Sequence, residues 1–266
     1  MQLDGCHALI TGASAGIGRE FARQLAKRAE TLVLVARREQ RLQELRDELS
    51  ARHPRLRIEL HKTDLSQRVA VEALLGWLAD QNLVIDLLIN NAGLGDVGAF
   101  ATADPKRVAD ILQVNMVALT LLARGVLPGM IERKRGAILN VSSSACFLPM
   151  PNFAVYAATK AYVTSLSEAL RGELHGTGIH ISALCPGPVR TEFMEVARRK
   201  STGPAPRDPE LSYVPVEQAV AEALDGIERN RPIVIPGLFM KLGMSLVRLT
   251  PLAVLRLASR LFAKPA

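Results

Sequence analysis

The sequence predicts an α/β domain built on a doubly wound parallel sheet. Three observations predict it. Strand-like and helix-like segments alternate along the chain, the strand-like runs are apolar nearly end to end, and a glycine-rich loop joins the first strand to the first helix. Strands that are apolar throughout are buried on both faces, as in a parallel sheet with helices on each side. Strands are expected at 7–10, 31–36, 56–60, 87–90, 137–141 and 180–185, with a short last one at 233–235. Helical periodicity marks 16–29, 39–52, 67–80, 105–132, 152–176 and 216–229. No repeat or polar linker divides the chain, so one domain over 1–236 is expected, with a C-terminal extension over 237–266.

The net charge of +7 is not spread over the fold. Seven basic residues and no acidic one lie between Arg229 and Ala266, and the rest of the chain balances 26 basic against 26 acidic groups. That distribution argues against a nucleic-acid-binding body. Cys6, Cys146 and Cys185 lie far apart in sequence without metal-ligand spacing, so free thiols and no metal are expected. The start has no basic region and too short an apolar run for a signal peptide, which points to a cytoplasmic protein.

"TGASAGIG", Thr11 to Gly18, follows the first strand. Gly12 permits a tight turn, Gly16 lets backbone approach a pyrophosphate, and Gly18 lets the helix pack on the sheet. The helix N-terminus offers free N–H groups and a positive dipole end to phosphate. Its spacing is GxxxGxG, and an ordinary strand–helix turn is the plain alternative. The second strand ends in Ala36, Arg37 and Arg38, where many dinucleotide folds place an acid for the adenosine ribose. A carboxylate repels a 2′-phosphate and a guanidinium pairs with it, so NADP(H) is expected over NAD(H), with Arg37 the stronger candidate. Solvated arginines at a strand end are the alternative.

"YAATK" places Tyr156 and Lys160 on one helix face at i and i+4. A nearby ammonium is expected to lower the phenol's pKa and make it a proton donor and acceptor near neutrality. Tyr162 has Leu166 at i+4 and lies about 240° round the helix from Tyr156, so it reads as a packing residue.

Taken together, these motifs resemble the short-chain dehydrogenase/reductase family. TGASAGIG is similar to its cofactor loop, "NNAG" (Asn90 to Gly93) to the motif after its fourth strand, and "PGPVRT" (Pro186 to Thr191) to its nicotinamide-side motif. Asn115, Ser143, Tyr156 and Lys160 fall at the spacings of its catalytic residues, and Asp64 matches its adenine-contacting acid. The resemblance spans about 3–236. It implies a Rossmann fold of about seven strands, NADP(H) as cofactor, and a homodimer or homotetramer paired through helices 105–132 and 152–176. It places the cofactor against Gly12, Ser14, Ala15, Gly16, Ile17, Gly18, Arg37, Arg38, Asp64, Leu65, Asn91, Ala92, Gly93, Tyr156, Lys160, Pro186, Gly187, Val189 and Thr191. It implies that Ser143 orients a carbonyl and that Asn115 sits at a helix kink whose carbonyl holds a relay water. Lys160 would also hold the nicotinamide ribose.

Ser143 would lie at the carboxyl end of a strand, where open α/β sheets bind ligands. Strand alternation turns Ser142 and Ser144 away from its side. No GxSxG elbow surrounds these serines, so no hydrolase reading competes. Asn115 is a poor helix-interior residue among the apolar Val114, Met116 and Val117, so its presence there needs a reason.

Residues 188–215, rich in proline, read as a substrate lid, with Met150, Phe153 and Phe193 as an apolar pocket wall and the basic run 198–200 as a phosphate contact or a solvated patch. The expected substrate is a small carbonyl or secondary alcohol, apolar and lipid-like, such as a 3-oxoacyl thioester or a steroid. A catalytically silent cofactor-binding regulator is the alternative. In the tail, Lys241, Arg248, Arg256 and Arg260 fit one helical face, and Thr250–Pro251 splits it into two helices. A basic amphipathic helix fits an anionic membrane surface, while packing over the pocket or on a second subunit are the alternatives.

Overall fold

The computed structural model describes residues 1–199, 210–251 and 253–257. Seven parallel strands form one sheet: β1 (His7–Thr11), β2 (Thr31–Ala36), β3 (Arg57–Lys62), β4 (Leu87–Asn90), β5 (Gly136–Val141), β6 (Ile179–Leu184) and β7 (Ile233–Val234). Their order is β3-β2-β1-β4-β5-β6-β7, so the direction of winding reverses between β1 and β4. A crevice opens at such a reversal, beyond the carboxyl ends of the strands.

The inner strands divide their side chains between two cores. Ala8, Ile10, Leu32 and Leu34 face one side, where Phe21 and Leu25 of α1 (Gly16–Leu25), Leu42, Leu45 and Leu49 of α2 (Glu39–Arg52) and Val220, Leu224 and Ile227 of α8 (Val216–Glu228) cover them. Leu9, Val33, Val35 and Leu88 face the other side, beneath Val71, Leu74 and Leu78 of α3 (Arg68–Asp80), Ile111 of α4 (Pro105–Leu112), Leu122 and Met130 of α5 (Leu119–Glu132), and Leu174 after α6 (Ala154–Glu173). This period-two division over strands apolar on both faces is the pattern that the sequence predicts.

Several boundaries differ from expectation, for local reasons. β3 runs to Lys62, past the apolar run ending at Leu60, because it is an edge strand whose ladder with β2 continues to Ala36 and tolerates charged residues. Helix α6 starts at Ala154 because Asn152 adopts φ 61, which no helix interior accommodates. The single helix expected over 105–132 is α4, a π-helical turn over Gln113–Ala118, and α5. After β6 come a short helix α7 (Phe193–Ala197) and, near the C-terminus, α9 (Leu238–Leu249).

Candidate active site

The dinucleotide half of the crevice begins at the glycine loop. Gly12 has φ 67, a left-handed conformation that L side chains rarely adopt. A Cβ on Gly18 would lie 2.4 Å from the Gly12 carbonyl oxygen and from Asn91 Nδ2, so the first turn of α1 sits directly on the loop. That turn has no acidic residue and no side-chain cap, which leaves its N–H groups facing the crevice for an anion. The NNAG segment closes the loop from below. Asn91 Nδ2 donates to the Thr11 carbonyl at 2.8 Å, and the Asn91 and Ala92 amides donate to Thr11 Oγ1 at 3.0 Å. Asp64 caps the turn before α3 by accepting from the Ser66 amide at 3.1 Å, and Leu65 is buried beneath it.

At the end of β2, Arg38 rather than Arg37 meets the loop. Both arginines are exposed, and Arg38 Nε and Nη2 donate to Ser14 Oγ at 3.2 and 3.1 Å. The Arg38 guanidinium also pairs with the Glu192 carboxylate, whose second oxygen accepts from Arg41 at 2.8 Å. The Arg38 hydrogen bond, followed by that of Arg41, holds the Glu192 carboxyl down to about 2. The Arg38 and Arg41 guanidiniums therefore already hold an anion beside the glycine loop. Arg41 belongs to this cluster and is absent from the sequence reading; its i+3 spacing from Arg38 on α2 was the available signal.

The reactive half gathers on α6 and the end of β5. Tyr156 and Lys160 are both buried, and Lys160 Nζ lies 5.6 Å from the centre of the Tyr156 ring. Nζ donates to the Val141 carbonyl at 2.7 Å. The expected lowering of the phenol's pKa is not what this geometry produces. Burial pushes Tyr156 up to about 12, against a smaller pull from its hydrogen bond with Ser143. The ammonium stands over the ring and against a main-chain carbonyl, and burial lowers Lys160 itself to about 8.

The three serines separate by environment. Ser142 is buried and donates to the Lys160 carbonyl at 2.9 Å, with Thr164 Oγ1 at 2.7 Å. The Ser144 amide donates to the Pro186 carbonyl at 2.8 Å and so joins the serine turn to the PGPVRT segment. Ser143 caps the 3₁₀ turn over Ser144–Phe147, accepting from the Ala145 amide at 3.2 Å, and its side chain meets Tyr156.

Asn115 sits in the π turn, 1% exposed, and its side chain works as a clamp. Oδ1 accepts from the Leu94 amide at 2.8 Å, and Nδ2 donates to the Leu94 carbonyl at 2.9 Å and to Thr159 Oγ1 at 3.0 Å. The NNAG loop, the π turn and α6 are thereby held together. A Cβ on Gly93 would lie 3.5 Å from Lys160 Nζ and 3.6 Å from Asn115 Oδ1, so these two groups flank one glycine.

An apolar wall faces the phenol. The Tyr156 ring stacks on Phe153 at 4.2 Å between centroids and meets Phe193 at 5.3 Å, with Met150 in the same cluster. Gly95 leaves room for this closure, since a Cβ there would lie 2.9 Å from Phe193. The segment carrying Phe193 is tethered by a bridge between Val97 and Arg198. Residues 200–209 of the expected lid, including Lys200, lie outside the described residues. Within the basic run, the Arg199 guanidinium pairs with Asp96 at 2.8 and 2.5 Å.

Gly16 and Thr191 meet across the crevice, a Cβ on Gly16 falling 3.1 Å from the threonine side chain, and Gly187 packs against Met240 of α9. Met240 and Met244 turn inward beside Cys146, Phe147, Cys185 and Ile235, so one face of α9 covers the rear of the serine turn. Of the four cations expected on one face, Lys241 and Arg248 lie seven residues apart on α9. The helix ends at Leu249, Arg248 stacks on the Phe147 ring, and Arg260 lies outside the described residues.

A glycine-lined crevice at the winding reversal, with a buried tyrosine and lysine and a half-buried serine at its far end, defines a dinucleotide-dependent oxidoreductase. The sequence model of the short chain dehydrogenase family matches residues 6–202. The chain belongs to the short-chain dehydrogenase/reductase family. It is 36% identical over 220 residues to the NADP-dependent 3-hydroxy acid dehydrogenase YdfG of Escherichia coli, covering 81% of this chain and 86% of that protein. Among solved structures it is similar to a short-chain dehydrogenase from Sphingobium yanoikuyae in complex with NADPH, with TM-score 0.80 and 32% identity over 98% of this chain and 97% of the other. It is also similar to the bulky-bulky ketone specific alcohol dehydrogenase from Comamonas testosteroni, with TM-score 0.75 and 31% identity over 92% and 93% of the two chains. The residues present fit NADP(H), since the uncapped turn of α1 suits a pyrophosphate and the Arg38–Arg41 pair already holds a carboxylate.

Proposed function

We propose that this protein is an NADP(H)-dependent oxidoreductase that interconverts a bulky, apolar ketone and its secondary alcohol. Its cofactor is NADP(H). The observation that carries the substrate class is the packing of Tyr156 against Phe153 and Phe193, which leaves an apolar surface beside the phenol hydroxyl. The NADP-dependent and ketone-specific names of relatives support the same reading.

When bound, NADP(H) would supply the hydride chemistry at its nicotinamide ring. The chain's residues do the rest. Ser143 donates a hydrogen bond to the substrate oxygen and orients it toward Tyr156. With its pKa near 12, Tyr156 is protonated at neutral pH and gives its proton to the developing alkoxide in the reductive direction. Lys160, charged below about pH 8, stabilises the phenolate left behind. Asn115 positions Lys160 and Gly93 by tying the NNAG loop to α6. Thr191 and Gly16 close the crevice over the cofactor.

The test is oxidation of NADPH across a panel of 3-oxoacyl thioesters, steroid ketones, dicarbonyls and simple aldehydes, with NADH and Tyr156→Phe as controls. Turnover on the bulky apolar members, lost in the variant, supports the reading. Turnover confined to small polar aldehydes would overturn the substrate class.

A second reading concerns the tail. Leu238, Leu242, Leu246, Leu249, Val254 and Leu257 are exposed, and no acidic residue lies beyond Glu228. An apolar face flanked only by cations fits an anionic lipid surface. Flotation of the full chain and of a chain ending at Gly237 with anionic and neutral vesicles tests it. Equal binding of both chains would remove the tail from the account. We also propose a homo-oligomer, on the exposed Leu112, Val117 and Ile131 of the long helical segment; light scattering tests it.

A further inference from the structure

Two of the three thiols meet behind the serine turn. Cys146 and Cys185 are 39 residues apart in sequence, and their sulfurs lie 3.9 Å apart. Cys146 belongs to the turn that Ser143 caps, and Cys185 is the residue before Pro186. Backbone bonds from Ser142 to Leu184 and from Ser144 to Pro186 bracket the pair and keep the two segments in register. A disulfide needs about 2.05 Å between sulfurs, so side-chain rotation must bring the pair closer by roughly 2 Å. Cys146 is half-buried and reachable, whereas Cys185 is buried.

We propose that Cys146 and Cys185 form a reversible oxidation site, with hydrogen peroxide as the oxidant. The Cys146 thiolate attacks one peroxide oxygen, the O–O bond breaks, and hydroxide leaves; Cys146 becomes a sulfenic acid. The Cys185 sulfur then attacks the Cys146 sulfur and loses its proton, the S–O bond breaks, and water leaves. Two thiols lose two electrons in all, and the peroxide is reduced to two waters.

The surroundings assign the order of these steps. The hydrogen bond with Cys185 lowers the pKa of the half-buried Cys146 thiol, while the same contact and burial raise that of Cys185. The Lys160 ammonium adds a favourable charge to both sulfurs. A partly exposed thiolate beside a buried resolving thiol is the arrangement that peroxide-reactive pairs require. Cys6 is an internal control, since burial pushes it up to about 12.

The bond would draw the Ser143 turn toward the end of β6. The Cys146 amide donates to the Ser143 carbonyl at 3.1 Å, so displacement of one residue moves the other. A shift of about 1 Å in such a group lowers turnover by about a hundredfold. This consequence rests on the proposed reaction; the oxidation itself does not.

The experiment treats the reduced full chain with hydrogen peroxide in slight excess, followed by thiol counting in denaturant, intact mass and peptide mapping. We expect two of the three thiols to disappear, the mass to fall by two hydrogens, a linked peptide joining Cys146 to Cys185, and full reversal by dithiothreitol. Cys185→Ser should trap a dimedone-reactive sulfenic acid at Cys146, and Cys6→Ser should behave like the wild type. Oxidation of Cys146 to sulfinic acid with Cys185 left free, a link between two chains, or retention of all thiols would overturn the proposal. If Cys185→Ser fails to fold, mapping of the wild type decides alone. Turnover should fall in step with the linked peptide. Linkage without loss of turnover would sink only the consequence for Ser143, whereas a reduced chain inactive on the whole ketone panel counts against the proposed reaction.

Discussion

The Glu192 carboxylate pairs with the Arg38 guanidinium across the mouth of the crevice, and Arg41 holds its second oxygen. Glu192 directly follows Thr191, which meets Gly16 across the crevice, so the same segment delivers an anion to the cluster beside Ser14. Its carboxylate and a 2′-phosphate would compete for the same donors.

Removing that competitor should help one cofactor only. Glu192→Gln is expected to tighten NADPH binding several-fold, with NADH affinity unchanged. Arg38→Ala should weaken NADPH about 10- to 100-fold, as loss of hydrogen bonds to a charged group does. Fluorescence titration of both nucleotides checks this. Equal effects on the two would place the arginine cluster away from the 2′ position.

Tyr156→Phe keeps the stack with Phe153 and Phe193 and deletes only the hydroxyl. We expect a loss of about 10²–10⁴ in turnover with unchanged NADPH affinity. The reductive rate should be flat through neutral pH and decline above about 8, where Lys160 loses its charge. A wild-type rate flat to pH 10 would exclude that ammonium from the reaction.

Asn115→Ala removes three buried hydrogen bonds at once and leaves the Leu94 amide unpaired. The expected cost is about 3 kcal/mol in urea unfolding. A change below 1 kcal/mol would mean that the side chain is not the clamp described.

Glu48 joins α2 to α1 through Arg23 and Arg19, and these partners hold it down to about 2 from 4.5. Its folded-state pKa is depressed, so its contribution is present above about 4.5 and is lost as pH falls toward 2. Glu48→Gln should therefore destabilise at pH 7 and converge with the wild type near pH 2. Melting temperatures across that range provide the measurement.

The layers of the fold were legible because strand and helix periods are local. Short apolar, β-branched runs such as 31–36 fit a strand covered on both faces, and Gly12 and Gly18 mark the loop after the first strand. The Tyr156–Lys160 pair was legible for the same reason, since both stand on one helix. Their electrostatics were not. Spacing brings an ammonium within one turn of a phenol, yet Lys160 turns to the Val141 carbonyl on another element, and burial governs both groups. Arg38 was separated from Arg37 only by its contact with Ser14, 24 residues earlier.

What the sequence by itself determined is therefore the set of elements, the parallel sheet and the identities of the residues at the strand ends, because periodicity and turn chemistry act over a few residues. Tertiary structure alone decided which of those residues touch. Cys146 and Cys185 read as isolated thiols along the chain, and Glu192 as one more charge. The crossover from β5 through α6 to β6 places the sulfurs 3.9 Å apart, and the fold of the segment after β6 sets the carboxylate on Arg38. Such contacts join residues tens to more than a hundred positions apart, and no local period encodes them.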